Sequence, residues 1–186
     1  MKKIVLSLFF FVNKLIFRMS GIQGFDDFQI KGILFVKNHG ELLIGPRFKA
    51  NSGYRFNPIG GSHTLSLVVL KNANLSIGEN VGISNSAIFC SYSIDIGNDV
   101  LIGGDCKIYD TDFHSLNFNE RIRGADVPRS SPVVIGDGAF IGAGSTILKG
   151  VTIGKHSVIG AGSVVSKSVP DGQVWGGNPC RYIRDI

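Results

Sequence analysis

The stretch IGDGAFIGAGSTILKGVTIGKHSVIGAGSVVSKSVP, residues 135–170, repeats every six residues, and that period decides the architecture. Its first position is aliphatic throughout: Ile135, Ile141, Ile147, Ile153, Ile159 and Val165. Its fifth is small or β-branched: Ala139, Ser145, Val151, Ser157, Ser163 and Val169. Gly fills the second position in four of the six hexads. A helix spaces apolar residues near 3.6 and an ordinary strand by two, so neither produces a period of six. A parallel β-helix does, because each hexad makes one short straight face and a corner, and three hexads close a triangular coil. The aliphatic side chain then points into a narrow core. The Gly after it is expected to take the backbone angles of the corner.

The same phase reaches upstream. Ile77, Ile83 and Phe89 open hexads, and one extra residue then shifts the frame to Ile96, Ile102 and Ile108. Between Ile108 and Ile135 the spacing is not a whole number of hexads. Residues 110–132, DTDFHSLNFNERIRGADVPRSSP, lack the aliphatic period and are rich in Asp, Asn, Arg and Pro. They read as a loop thrown out of the coil, and long loops inside compact units tend to be functional. Before Ile77 the pattern weakens, which predicts one or two irregular coils with a turn-rich break at residues 57–61. Residues 21–186 therefore read as one β-helix unit with a carboxy-terminal cap over 171–186.

Composition narrows the function classes. At 186 residues a second core is not expected, and the 25 glycines are spread through the hexads as corner residues. Cys90, Cys106 and Cys180 stand far apart with no CxxC pair. That argues for reduced thiols in a cytoplasmic protein and against a disulfide framework or a zinc site. A net charge of +5 favours anionic partners such as phosphates or a lipid surface. No clustered basic face or recognition motif points to nucleic acid.

Residues 4–12 are almost wholly apolar behind Lys2 and Lys3, which imitates a signal peptide, but no small-x-small cleavage site follows. The run is also shorter than the ~20 residues of a spanning helix. A helix over 3–19 within an amino-terminal segment 1–20 is expected, with Lys14 and Arg18 on one side. It would pack on the coil or on a neighbouring subunit, or lie at the inner face of a membrane.

Four tokens in order carry a family resemblance: IGNDVLIGG (96–104), DTDFH (110–114), the hexads of 135–170 and WGGNPCRYIR (175–184). Together they resemble the hexapeptide-repeat acyltransferases, nearest to the maltose, galactoside and polysaccharide O-acetyltransferases. The resemblance implies a left-handed parallel β-helix, a departure from the usual right-handed crossover. It implies acetyl-CoA as donor, a saccharide acceptor in surface polysaccharide assembly, and a homotrimer with shared active sites. An N-acyltransferase acting on an amino sugar or nucleotide sugar, a serine or antibiotic acetyltransferase, and a non-catalytic scaffold use the same coil. A γ-class carbonic anhydrase needs a closely spaced histidine pair for zinc. His39, His63, His114 and His156 are all more than twenty residues apart, so no metal is expected.

Acetyl transfer to a hydroxyl needs a base, and a loop histidine suits that role. The resemblance puts the base at His114, with Asp110 and Asp112 as nearby carboxylates able to fix its tautomer. No Ser or Cys lies in a nucleophile elbow, so direct transfer is implied. A backbone N–H near Gly142 and Ala143 is a candidate donor to the oxyanion. Asn85 matches a hydroxyl-binding Asn of the sugar enzymes, although Cys90, Ser91 and Tyr92 stand where those enzymes carry an Asp. Arg121 matches an element of the family's active-site loop that holds the loop or touches the acceptor. For the donor, the small corners Ala143, Gly144, Ala161 and Gly162 would admit the pantetheine arm. Lys149, Lys167, Arg181 and Arg184 would meet the phosphate and adenine end.

Overall fold

The computed structural model describes residues 2–22, 27–124 and 126–186, with side chains from residue 7 onward. Nineteen short strands are wound into three sheets of eight, six and five strands, with parallel pairing from coil to coil. The chain is a left-handed parallel β-helix. Ile141 pairs with Ile159, Ile147 with Val165 and Ile135 with Ile153, so each coil in the hexad region takes three hexads.

Every first-position and fifth-position residue of the hexads is buried. The aliphatic columns run the length of the prism. In the eight-stranded sheet the inward file is Ile30, Ala50, Ile83, Ile102, Ile141 and Ile159, capped by Trp175. The serines at the fifth position are buried as well and must find partners inside. Ser157 Oγ donates to the Pro170 carbonyl at 2.6 Å and Ser163 Oγ to the Gly160 carbonyl at 2.5 Å.

The glycine rule needs correction. The left-handed backbone sits at the fourth position of the hexad, at Gly138, Gly144, Gly150, His156 and Gly162, and not at the second. The second-position Gly answers a different constraint. A Cβ on Gly142 would lie 2.5 Å from the Ala161 nitrogen of the next coil, so only a bare backbone fits between stacked corners.

The frame around Phe89 also differs from the sequence reading. Ile88 is the buried residue, paired with Leu67 and Ile108, while Phe89 is half-exposed beside Tyr109. The coil tightens there by shortening the step from Ile83, which turns the aromatic ring outward. The amino-terminal half is more regular than expected. Complete coils begin at Phe28, with strands Phe28–Lys31, Phe35–Asn38, Glu41–Ile44 and Phe48–Asn51. Their cores mix Phe, Leu and Ala with Ile30 and Ile44 in four-residue strands, and Ile44-Gly45 is the one Ile-Gly token among them, so the hexad signature is diluted although the geometry is present. The turn-rich break is real: residues 52–65, with a 3₁₀ turn at Pro58–Gly60, bulge out of the second coil.

Helix α1 (Lys2–Met19) closes the amino-terminal end of the prism. The first coil would otherwise expose unpaired backbone groups along its edge. Asn13, fully buried in the middle of α1, meets that need: its amide donates to the Gly32 carbonyl at 2.9 Å and accepts from the Leu34 N–H at 3.1 Å. Phe17 and Phe10 pack on Phe28, with ring centroids 5.2 and 4.9 Å away. At the other end Gln173–Gly176 and Arg181–Asp185 form an antiparallel pair over the last coil, joined through a cis Asn178–Pro179 bond.

Candidate active site

The chain leaves the coil after the strand Lys107–Tyr109 and rejoins it at Val133–Ile135. The neck of the excursion is tied by backbone pairing. Ser131 N–H donates to the Asp110 carbonyl at 2.9 Å and Asp112 N–H to the Arg129 carbonyl at 3.1 Å. Position 125 of the expected loop lies outside the described residues.

Phe113 anchors the loop to the prism immediately before His114. Its backbone is left-handed, φ 64°, and its ring meets Phe89 at 4.8 Å and Tyr109 at 5.2 Å. The outward turn of Phe89 therefore has a use: it supplies the platform on which the loop rests. A single turn of helix, α2 (Phe118–Ile122), is capped by the Asn117 side chain, which accepts from the Asn119 N–H. Ser115 Oγ bonds Glu120, and Arg121 Nη1 donates to the Ser115 carbonyl at 2.6 Å.

His114 projects from this frame with 72% of its side chain exposed. Its Nδ1 lies 2.5 Å from Asp126 Oδ2, and the other oxygen of Asp126 accepts the Ser115 N–H at 2.6 Å. An ionised carboxylate only accepts, so Nδ1 carries the proton, and in the neutral ring the lone pair is on Nε2. Among the described residues Nε2 has no partner. The His114 hydrogen bond, then the Ser115 amide, hold the Asp126 carboxyl below its ordinary value of 3.8.

The carboxylates nearest His114 in sequence do not make that contact. Asp110 is fully buried and accepts the N–H groups of Ser91, Tyr92 and Ser93, each at 2.7 Å. It closes the corner of the preceding coil, and it is turned from the loop because, one residue past the strand Lys107–Tyr109, it keeps the inward phase of Ile108. The neighbouring Cys90 thiol is pushed up to about 12 by burial and by the Asp110 charge, which keeps it protonated and inert. Asp112 pairs instead with Lys149, 3.4 Å away. That separation is too long for a good hydrogen bond, and the buried Oδ2 of Asp112 has no such partner among the described residues. Asp112, Phe113, Tyr109, Leu148 and Lys149 line a cavity of about 340 Å³ where the loop meets the coil.

Asn85 is engaged by the chain itself. It is buried, its side-chain oxygen accepts the Gly53 N–H at 2.7 Å, and its amide donates to the Asn57 carbonyl at 2.8 Å. Both ends are committed to holding the 52–65 bulge. Arg121 is engaged in the loop through Ser115.

The remaining residues fall on two corners that flank the outer face of the six-stranded sheet. Ala143, Gly144, Ala161 and Gly162 form one, stacked through Gly144 N–H to the Gly104 carbonyl and Gly162 N–H to the Ala143 carbonyl, both 2.8 Å. The 177–180 turn crosses above this sheet, with Cys180 N–H on the Val164 carbonyl at 2.9 Å, which brings exposed Arg181 next to that corner. Lys149 and exposed Lys167 occupy the other corner, one coil apart and beside the loop neck. Arg184 lies further along, opposite Val174 on the eight-stranded sheet. No group of three His, Cys, Asp or Glu among the described residues could hold a metal ion.

Asp126 carries no sequence signal that marks it, and neither the hexad phase of Phe89 nor the DTDFH token around Phe113 shows that the two rings meet. Asp126 is twelve residues beyond His114 in an aperiodic stretch, so only the fold reveals the pair.

Residues 132–167 match the family described as bacterial transferase hexapeptide (six repeats). The chain carries the bacterial transferase hexapeptide repeat. This hexapeptide-repeat chain is 40% identical over 115 residues to galactoside O-acetyltransferase of Escherichia coli (strain K12), covering 61% of this chain and 55% of that protein. It spans a little over half the length of its first sequence relatives, at 57%, 58% and 55%. Among solved structures, it superposes on a hexapeptide-repeat acetyltransferase of Vibrio cholerae O1 biovar eltor complexed with acetyl coenzyme A. The TM-score is 0.61 at 25% identity, over 99% of this chain and 88% of that one. A maltose O-acetyltransferase from Clostridium difficile 630 gives the same TM-score of 0.61 at 26% identity, over 99% and 85%.

Proposed function

We propose that this chain transfers an acetyl group from acetyl-CoA directly to a saccharide hydroxyl, with His114 as general base. The observation that carries the reading is the His114–Asp126 pair. The carboxylate fixes the tautomer, and the exposed Nε2 is left as the proton acceptor on a frame held by Ser115, Glu120 and Arg121. The hydroxyl oxygen attacks the thioester carbonyl while its proton passes to Nε2. The tetrahedral intermediate collapses by breaking the carbon–sulfur bond, and the leaving CoA sulfur takes the proton back. Asp126 acts as a positioning residue, because it reaches the reacting atoms only through the imidazole. The Gly142 N–H is already given to the Ile159 carbonyl at 2.7 Å, so of the expected pair the Ala143 N–H is the candidate donor to the oxyanion.

The donor arm lies along the small corner of Ala143, Gly144, Ala161 and Gly162, where no side chain obstructs it. Lys167 and Arg181 are assigned to the phosphates, with Arg184 further out; Lys149 is partly neutralised by Asp112. The acetyl-CoA complex of the Vibrio cholerae relative and the saccharide names of the Escherichia coli and Clostridium difficile proteins support this reading. Surface polysaccharide assembly is the setting we assign. The active unit is a homotrimer, in which a neighbouring prism closes the groove beside His114. Leu101 and Phe140, stacked in register and exposed on the eight-stranded sheet, suit such a contact.

A thiol-release assay with acetyl-CoA against a panel of saccharides, amino sugars and nucleotide sugars tests the proposal. The expected result is turnover with a hydroxyl acceptor that drops by about 10² or more in His114→Ala, at little cost in CoA affinity. Equal turnover by the variant removes His114 from the chemistry, and transfer confined to amino groups replaces O- by N-acylation.

A further inference from the structure

Helix α1 has two apolar faces, and the prism uses only one of them. The inner line, Asn13 and Phe17 with Phe10 and Ile16 beside it, is buried against the first coil. On the opposite side Leu8, Phe11, Leu15 and Met19 are 60, 67, 58 and 80% exposed. Their spacing of three and four residues sets them in one straight ridge. Four large apolar side chains in a row directed away from the body of the molecule are not explained by closing the prism.

The charge beside the ridge selects its occupant. Eighteen residues of α1 contain Lys2, Lys3, Lys14 and Arg18 and not one acid. Lys14 and Arg18 are one turn apart on the helix flank next to Phe11 and Leu15, and Lys14 stretches over the Phe10 ring at 5.8 Å. No helix among the described residues is long and apolar enough to cross a membrane. We infer that the ridge of α1 docks the protein on an anionic lipid bilayer, with Leu8, Phe11, Leu15 and Met19 entering the headgroup boundary and the basic flank meeting lipid phosphates. A second protein copy fits less well, since self-association through the ridge would bring Lys14 and Arg18 of one helix toward those of the other. A bilayer accepts apolar side chains and positive charge at once. Because α1 covers the end of the prism far from the carboxy-terminal cap, docking leaves the loop and its His114 accessible from the side. This inference stands independently of the proposed chemistry.

The test is sedimentation of the full chain with phosphatidylcholine vesicles, with and without phosphatidylglycerol. Binding should be at least about tenfold stronger to the anionic vesicles and should weaken with added salt. The double variant Phe11→Ser/Leu15→Ser should lose about tenfold in vesicle affinity, and Arg18→Glu should weaken binding to anionic vesicles alone. Both changes are at exposed positions, so the thermal transition should be unaltered, and a lipid-free Phe11→Trp variant should blue-shift on adding anionic vesicles. Equal sedimentation of wild type and double variant, or no vesicle binding by the wild type, overturns the inference. A change in oligomeric mass of the double variant without any vesicle binding overturns it as well, and assigns the ridge to a second copy.

Discussion

At the scale of single residues, the division of labour among the loop carboxylates is the point most open to measurement. Asp110 and Asp112 stand next to His114 in sequence, yet the ring is met by Asp126. Proximity along the chain misled because residue 110 still belongs to the coil, where alternate side chains point inward. Asp110→Ala should therefore cost about 3 kcal/mol or more of stability, since three N–H groups lose an ionised acceptor. The turnover of the fraction that remains folded should change little; urea unfolding read beside activity separates the two. Asp126→Asn should leave the fold in place and reduce kcat by about tenfold or more, because the amide no longer enforces the tautomer. The carboxyl of Asp126 titrates below 3.8 chiefly through His114. The sign follows: the contribution of this depressed acid is complete above its unfolded value and is lost as pH falls through the lower folded one. Carbon-detected NMR should show the midpoint rise toward 3.8 in His114→Ala; an unmoved midpoint would mean the pair is not formed in solution.

Elements show how unevenly the sequence displays its architecture. From Ile135 to Val169 the hexad is written plainly, because two buried positions per face tolerate only aliphatic or small side chains. The first two coils obey the same geometry with different residues. Phe28, Phe48 and Ala50 take inward positions there, so the period is hidden even though the strands pair in register. The loop was legible as an interruption but not as a structure, since its order comes from Ser115, Glu120, Arg121 and Asp126 bonding across an aperiodic stretch. Asn13 is a similar case: a polar residue inside an apolar run has no visible reason until the edge of the first coil is seen. Asn13→Ala should cost about 2 kcal/mol, because the Leu34 N–H and Gly32 carbonyl lose their partner. Scanning calorimetry checks this. On the opposite end, Lys167→Ala should raise the CoA dissociation constant severalfold while slowing bound-state transfer little. Isothermal titration with an unchanged constant would return Lys167 to the role of a solvated surface charge.

For the whole molecule, the prism acts as a rigid rack. Its stacked coils set a file of small corners along one edge of the six-stranded sheet and the loop that carries the imidazole along the other, and its ends are closed by α1 and by the carboxy-terminal strand pair. A single chain leaves His114 largely exposed, and in the trimer we propose a neighbouring prism completes the groove. Light scattering should return three chain masses, and dilution that dissociates the assembly should abolish transfer; full activity in an isolated chain would remove the shared site. The most direct measurement is a crystal structure of the assembled protein with acetyl-CoA. His114 Nε2 should stand about 6 Å from the thioester carbonyl carbon, close enough for one hydroxyl oxygen to bond the ring and attack the carbon. A thioester bound far from every His114 in the assembly would contradict this.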